Sequence, residues 1–239
     1  RLTSIISQQD GESNVETISG GSQEQQINIR PADYDDDRHF FLDFFTRQEF
    51  ENSLSNPQQL IQTLQIADVE VWKLRETTQV DEGARRAVAL ADLGVVETLQ
   101  GDYLPPSNAN DVFDDALLDQ FRDPQQGVSA SDLGIDDARN FEEGYFTPLR
   151  EGQDYTIDKV SGYISLRQSL GSREVLAVAF NYRGAGGEIV NVGEINQGGG
   201  NRIYLKMLRP QNVSTDSDLF NLTMRNIYSL GVSNINREN

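Results

Sequence analysis

The chain has 239 residues, enough for one large domain or two small ones. Its formal net charge is −18, from 20 Lys and Arg against 38 Asp and Glu, and such a surface repels phosphate backbones, which argues against nucleic acid as a partner. Cysteine is absent, which excludes disulfides, thiol nucleophiles and cysteine-based zinc sites, and no window approaches the length of apolar residues that a membrane-crossing helix needs.

In chain order, residues 1–26 are polar and rich in Gln, Ser and Gly, and read as weak edge strands or a loosely held arm. Arg1 stands first, without an initiator Met or a signal peptide, so the expectation is a mature or excised fragment of something longer. Gln26–Arg30 alternates apolar and polar residues and reads as a strand ending before Pro31. Phe40, Phe41, Leu42, Phe44, Phe45 and Phe50 form an aromatic-rich cluster on a helix or tight turn, the anchor of a first core. Leu60, Ile61 and Leu64 suggest a helical turn. Ile66–Leu74 is the clearest one-face-buried strand of the first half, with Val69, Val71 and Lys73 on one face and Ile66 one place out of register. Ala87–Ala91 is a further strand. The run Leu104-Pro105-Pro106-Ser107-Asn108 is the best internal boundary and separates a β-rich module, 1–104, from a second module, 105–239, although the halves can share one core.

Beyond the boundary, Phe113, Ala116, Leu117 and Phe121 make a helical stripe limited by Pro124, and a short helix is expected around Asp132–Phe141. Residues 154–208 read as a β-meander. Its first hairpin has Tyr155–Ile157 and Tyr163–Leu166 flanking the turn formers Asp158 to Gly162. Val175–Tyr182 is apolar on both faces, which fits a strand covered on two sides. Glycine turns at 184–187 and 198–200 lead into Glu188–Val192 and Arg202–Leu208. Thr215 with Asp218 resembles a capping box for a last helix carrying Phe220, Met224, Ile227 and Tyr228 on one stripe, ended by Gly231. The fold class is α+β with β dominant: a sandwich- or jelly-roll-like first half, then an antiparallel β-meander with flanking helices.

Chemistry is sparse. Asp33, Asp35 and Asp37 fit the first three ligand positions of a calcium loop, but Arg38 stands where glycine is needed and Phe44 where the bidentate Glu belongs. A solvated acidic turn fits better than a divalent-cation site. His39 is the only histidine, and no Gly-x-Ser-x-Gly or His-Glu-x-x-His pattern exists to use it, so a ring packed beside Phe40 and Phe41 is expected. The adjacent pairs Glu142-Glu143 and Asp136-Asp137 do not by themselves face one another across a sugar. Neither glycine run has the spacing of a phosphate or dinucleotide loop. Trp72 suits packing between layers better than a sugar platform. Only Lys73, Lys159 and Lys206 are lysines, and much acid with little Lys suits either a halophile's surface or an ordinary acidic extracellular protein.

Several ordered segments carry a family likeness. They are Ile29–Asp35 running into Arg38–Phe41, Val69–Trp72, Ala89–Gly94, Leu149–Thr156, Gly162–Leu166, Glu174–Phe180, Val192–Glu194 and Met224–Gly231. Taken together and in this order, they resemble the SprA/Sov family, the giant outer-membrane component of the type IX secretion system of Bacteroidetes-like bacteria, also needed in gliding species. The resemblance implies a soluble segment towards the N-terminal side of a very long translocon protein. It implies no catalytic residue and no cofactor, with other secretion-system components and secreted cargo proteins as partners. The location it implies is the cell envelope, on the periplasmic or cell-surface side, with the membrane reached only through the rest of the full-length protein. The repeated ten-residue alternation of a transmembrane barrel is not evident here. A surface carbohydrate-binding module or adhesin is the alternative reading, and an acidic glycosidase a third.

Overall fold

The computed structural model describes residues 33–56, 65–75, 83–91, 129–133, 135, 138–183, 187, 189–195 and 202–229. The chain divides into two units, Arg1–Asp36 with Asn226–Asn239, and Asp37–Arg225. The described elements of the larger unit are β1 (His39–Phe41), α1 (Phe44–Ser55), β2 (Gln65–Leu74), β3 (Arg85–Leu90), two 3-10 turns (Ala130–Leu133 and Ala138–Asn140), β4 (Phe141–Pro148), β5 (Tyr155–Asp158), β6 (Tyr163–Leu166), β7 (Val175–Arg183), β8 (Ile189–Val192), β9 (Ile203–Arg209) and a last 3-10 turn (Asp218–Leu222).

Five of the strands close into a ring. β2 is antiparallel to β7 along one edge and to the end of β4 along the other. β4 is antiparallel to β3, β3 runs parallel to β9, and β9 returns antiparallel to β7. β8 adds a hairpin arm to the far half of β7. Three of the five, β3, β7 and β9, are buried on both faces: Ala87 to Leu90, Val175 to Phe180 and Ile203 to Leu208, all apolar but Lys206, lie in the interior. Alanines at 87, 89, 177 and 179 alternate with the larger Val88, Leu90, Val178 and Phe180, the small-and-large alternation with which tight barrels fill their interiors. β2 bends into the ring through a register shift between Ile66 and Val69. That shift is why Ile66 stands out of register in the sequence. Asn181 patches the broken ladder there, its Oδ1 accepting from the Asp68 N–H at 3.0 Å and its Nδ2 donating to Asp68 Oδ2 at 3.1 Å.

A second sheet has the order β1-β6-β5. Its β5–β6 hairpin is shaped by Asp158, whose Oδ1 accepts from the N–H groups of Val160 and Ser161 at 2.9 and 3.0 Å. The loop closes at Gly162, with φ 69, in the left-handed region that glycine adopts at little cost. On the other edge of β1, Phe40 pairs antiparallel with Thr223, and the Met224 N–H donates to the His39 carbonyl at 2.8 Å.

Helix α1 starts where Asp43 caps it. Asp43 Oδ1 accepts from the Phe45 N–H at 2.9 Å, and Thr46 Oγ1 accepts from the Asp43 N–H at 3.2 Å, a reciprocal cap. The helix lays Phe50 against Phe41 and Tyr163, with ring centroids 5.4 and 6.0 Å apart, so the aromatic cluster ties α1 to the second sheet.

In the smaller unit Tyr34 pairs antiparallel with Tyr228, and their rings lie 5.5 Å apart and tilted by 57°. The Asp35 N–H donates to the Ile227 carbonyl at 2.8 Å and the Ser229 N–H to the Asp33 carbonyl at 2.7 Å.

The β-dominant α+β class expected from the sequence is the one observed. Four finer expectations change. β2 and β3, expected in a sandwich-like first half that can share one core with the second, pair with β4, β7 and β9 from beyond residue 104, because both of their edges find partners there. The boundary run at 104–108 itself lies outside the described residues. The meander expected over 154–208 is divided, with β5 and β6 in the small sheet and β7 to β9 in the large one. The last helix is a single 3-10 turn followed by extended chain: Thr215 is exposed in a turn, Ser217 makes no side-chain cap, Asn226 takes φ 63, and Thr223 and Tyr228 are drawn into strand pairs. The short helix expected at Asp132–Phe141 is two 3-10 turns, since Phe141 already belongs to β4. The expected strand at 26–30, the turns at 60–64 and 198–200 and the helix at 111–121 lie outside the described residues.

Candidate functional site

The densest polar chemistry in the described residues is a row of cations on and beside β9. Strand β9 is buried along its whole length, and so is the preceding Arg202. Burial of a charge is expensive unless a counter-charge and hydrogen bonds meet it. Each cation has such a partner from a different part of the chain.

Arg202, with 0% exposure, places its guanidinium 3.1 Å from Glu143 Oε1 on β4, and Arg86 on β3 reaches the same oxygen at 2.8 Å. Lys206 Nζ lies 3.0 Å from Oδ2 of Asp43, the residue whose other oxygen caps α1. Arg209 forks onto Asp37, with Nη2 to Oδ2 at 2.8 Å and Nε to Oδ1 at 3.3 Å, while its Nη1 donates to the carbonyls of Gly171 and Glu174 at 3.1 and 2.9 Å. One side chain thus pins the β6–β7 loop and the segment before β1 to the end of β9.

Glu174 continues this corner. Its carboxylate meets Lys73 at 3.2 Å and Arg75 at 3.1 Å and accepts from the Gly171 N–H at 3.0 Å. Burial pushes its pKa up, but the Gly171 N–H and the Lys73 and Arg75 charges together outweigh that and hold it below the usual carboxylate range. Glu142, next to Glu143, goes the other way: burial raises it, and a backbone hydrogen bond from Gln211 offsets only part of the rise.

The residues singled out from the sequence are placed as follows. Asp37 is one arm of the Arg209 fork. Asp33 and Asp35 lie in the paired segment of the smaller unit. Among the described residues no group of three or more His, Asp or Glu side chains is placed to hold a metal ion. The His39 ring is half-buried, and its Nδ1 lies 2.8 Å from Ser165 Oγ on the facing strand. Trp72 is 5% exposed and so has no open face for a sugar ring. Glu143 is engaged by two arginines, whereas Asp136 and Asp137 lie outside the described residues. Of the glycine run 184–187, only Gly187 is described.

The buried cations are what the sequence reading missed. The signal was present: a lysine and two arginines set in and beside the apolar run Ile203–Leu208 have no solvent to reach and therefore need carboxylates folded onto them. What such buried pairs do chemically is hold elements in fixed relation. No protein-family model matches the chain, and no curated protein gives a significant match.

Proposed function

We propose that this chain is a non-catalytic structural segment of a type IX secretion translocon of the SprA/Sov kind, helping to form the export route or to dock partner proteins. What carries the reading is the ordered set of family-like segments together with where they fall. Val69–Trp72 on β2 pairs in register with Ala177–Phe180 on β7, Gly162–Leu166 includes β6, which pairs with the His39–Phe41 segment, and Ala89 and Leu90 sit on β3 beside β9. Segments far apart in sequence are thus partners in one packing scheme, as expected when a family pattern records a fold.

The physical properties suit such a role. A closed ring leaves few unpaired strand edges, so a passing polypeptide finds little backbone to pair with. Buried ion pairs tie loops to strands and keep the surface shape fixed. A charge of −18 opposes adhesion to other acidic surfaces. Trp72, at 5% exposure, offers no open face to a sugar ring, which weighs against the carbohydrate-binding alternative.

The test is deletion of this segment from the gene of a secreting strain, reading cargo in the medium and the amount of the remaining protein in the outer membrane. Cargo retention with the remaining protein still present is expected. Undiminished secretion would end the proposal.

A further inference from the structure

Each of the two units pairs an early segment with a late one. In the larger unit, His39 and Phe40 near its beginning lie antiparallel beside Thr223 and Met224 near its end, through the Phe40–Thr223 bridge and the Met224 N–H to His39 carbonyl bond of 2.8 Å. In the smaller unit, residues 33–35 lie antiparallel beside 227–229, with the Asp35 to Ile227 and Ser229 to Asp33 bonds at 2.8 and 2.7 Å on either side of the Tyr34–Tyr228 pair. That bond pattern is a non-hydrogen-bonded antiparallel site, where facing Cα atoms are about 4.5 Å apart.

We infer that residues 37–225 form a side module, which a longer chain enters and leaves at a single point along paired flanking strands. The incoming and outgoing chains run in opposite directions within one strand spacing. A parent scaffold therefore needs to open only about 5 Å, the spacing of neighbouring strands, to carry the module on a loop or hairpin without interrupting its own sheet. A module in line with its neighbours places its ends apart and makes the parent chain pass through it. Here the ring and the three buried ion pairs all fall within residues 37–225. In the secretion protein proposed above, on which the existence of flanking chain rests, the module lines or overhangs the route instead of forming part of a membrane wall.

The test uses the full 239-residue chain, which has no cysteine of its own. Tyr34→Cys with Tyr228→Cys places two thiols at a site whose spacing suits a disulfide. Diamide oxidation is followed by non-reducing electrophoresis in native buffer and in concentrated urea. Cross-linking at least about tenfold faster in native buffer is expected, because pairing raises the effective concentration of one thiol at the other. The oxidised chain is expected to melt several degrees higher than the reduced one, since the bond closes a long loop in the unfolded chain. A native rate no faster than the urea rate, in a variant that keeps the wild-type circular dichroism, overturns single-point attachment. If that variant fails to fold, Asp33→Cys with Ser229→Cys carries the same comparison. Secretion plays no part in this readout, so a failed cross-link removes the side module and leaves the translocon proposal to the deletion experiment.

Discussion

Lys206 and Asp43 face each other at 3.0 Å with side chains only 4% and 7% exposed, joining the middle of β9 to the N-cap of α1. Asp43 holds the helix N-terminus with one oxygen and the lysine with the other. Removing the lysine alone strands a buried carboxylate, which costs about 3–5 kcal/mol. Lys206→Met is therefore expected to lower urea stability by that order. Adding Asp43→Asn should recover most of the loss, because Asn caps a helix about as well as Asp and leaves no charge behind. Urea titrations followed by circular dichroism give the four corners of the cycle. Strictly additive losses would contradict the pairing.

Gly162 ends the β5–β6 loop at φ 69, and a Cβ there would come within 2.6 Å of Thr46 Cβ and closer still to Thr46 Cγ2 on α1. Gly162→Ala is expected to cost about 1–2 kcal/mol for the backbone conformation, and about 1–3 kcal/mol more for the overlap. Thr46→Ser removes the methyl group and keeps the hydroxyl that completes the cap. In the Gly162→Ala background it should return part of the steric loss and none of the backbone loss. The melting temperatures of the two single variants and the double variant measure this.

Tyr155 is expected to weaken the fold in alkali. Burial, helped by the Glu151 and Glu70 charges, pushes its hydroxyl up to about 12. The folded chain then holds a proton that the unfolded chain loses near the ordinary tyrosine value of about 10. Stability from this source is complete below about pH 10 and is lost as pH rises towards about 12. Tyr155→Phe should flatten that part of the curve, at the expense of the hydroxyl's 3.3 Å bond to the Val69 carbonyl. Ultraviolet titration of phenolate together with urea curves across this range is the measurement.

Glu174 acts at the acid end. Its pKa is held low by the Gly171 N–H, Lys73 and Arg75 against the effect of burial. Its contribution is present above the ordinary carboxylate range and is lost as pH falls through the lowered folded value. Glu174→Gln should be less stable than wild type at neutral pH, and the gap should narrow as the solution is acidified. A gap independent of pH would show that packing, not charge, explains the loss.

Trp72 is the only tryptophan, so its fluorescence reports one place. With 5% exposure and an indole nitrogen lacking a hydrogen-bond partner, it should emit at the short-wavelength, apolar end of the tryptophan range and resist quenching by iodide until the chain unfolds. Mono- and oligosaccharides should leave the spectrum unchanged. A sugar-dependent shift would revive the carbohydrate-binding alternative.

Local patterns were legible where a residue's surroundings are set by its near neighbours. The β5–β6 hairpin follows from Asp158 and Gly162, and the two-sided burial of β7 from its unbroken apolar run. Ring closure was not legible, because it depends on which distant strands share edges: Trp72 meets Ala177 on one side and Pro148 on the other. The last helix was misread because periodicity from Phe220 to Tyr228 fits a helix, whereas Thr223 gains a strand partner in Phe40 that no local window contains. In the sequence Asp37 reads with Asp33 and Asp35 as a solvated acidic turn in preference to a cation site, and only the fold brings Arg209, far along the chain, to it.

The paired flanking strands have a mechanical consequence. Within the smaller unit, tension that draws residues 33–35 away from 227–229 meets the Ser229–Asp33 and Asp35–Ile227 bonds one after the other, as a zipper does, and not both at once in shear. Two such bonds part under small force and reseal when it relaxes.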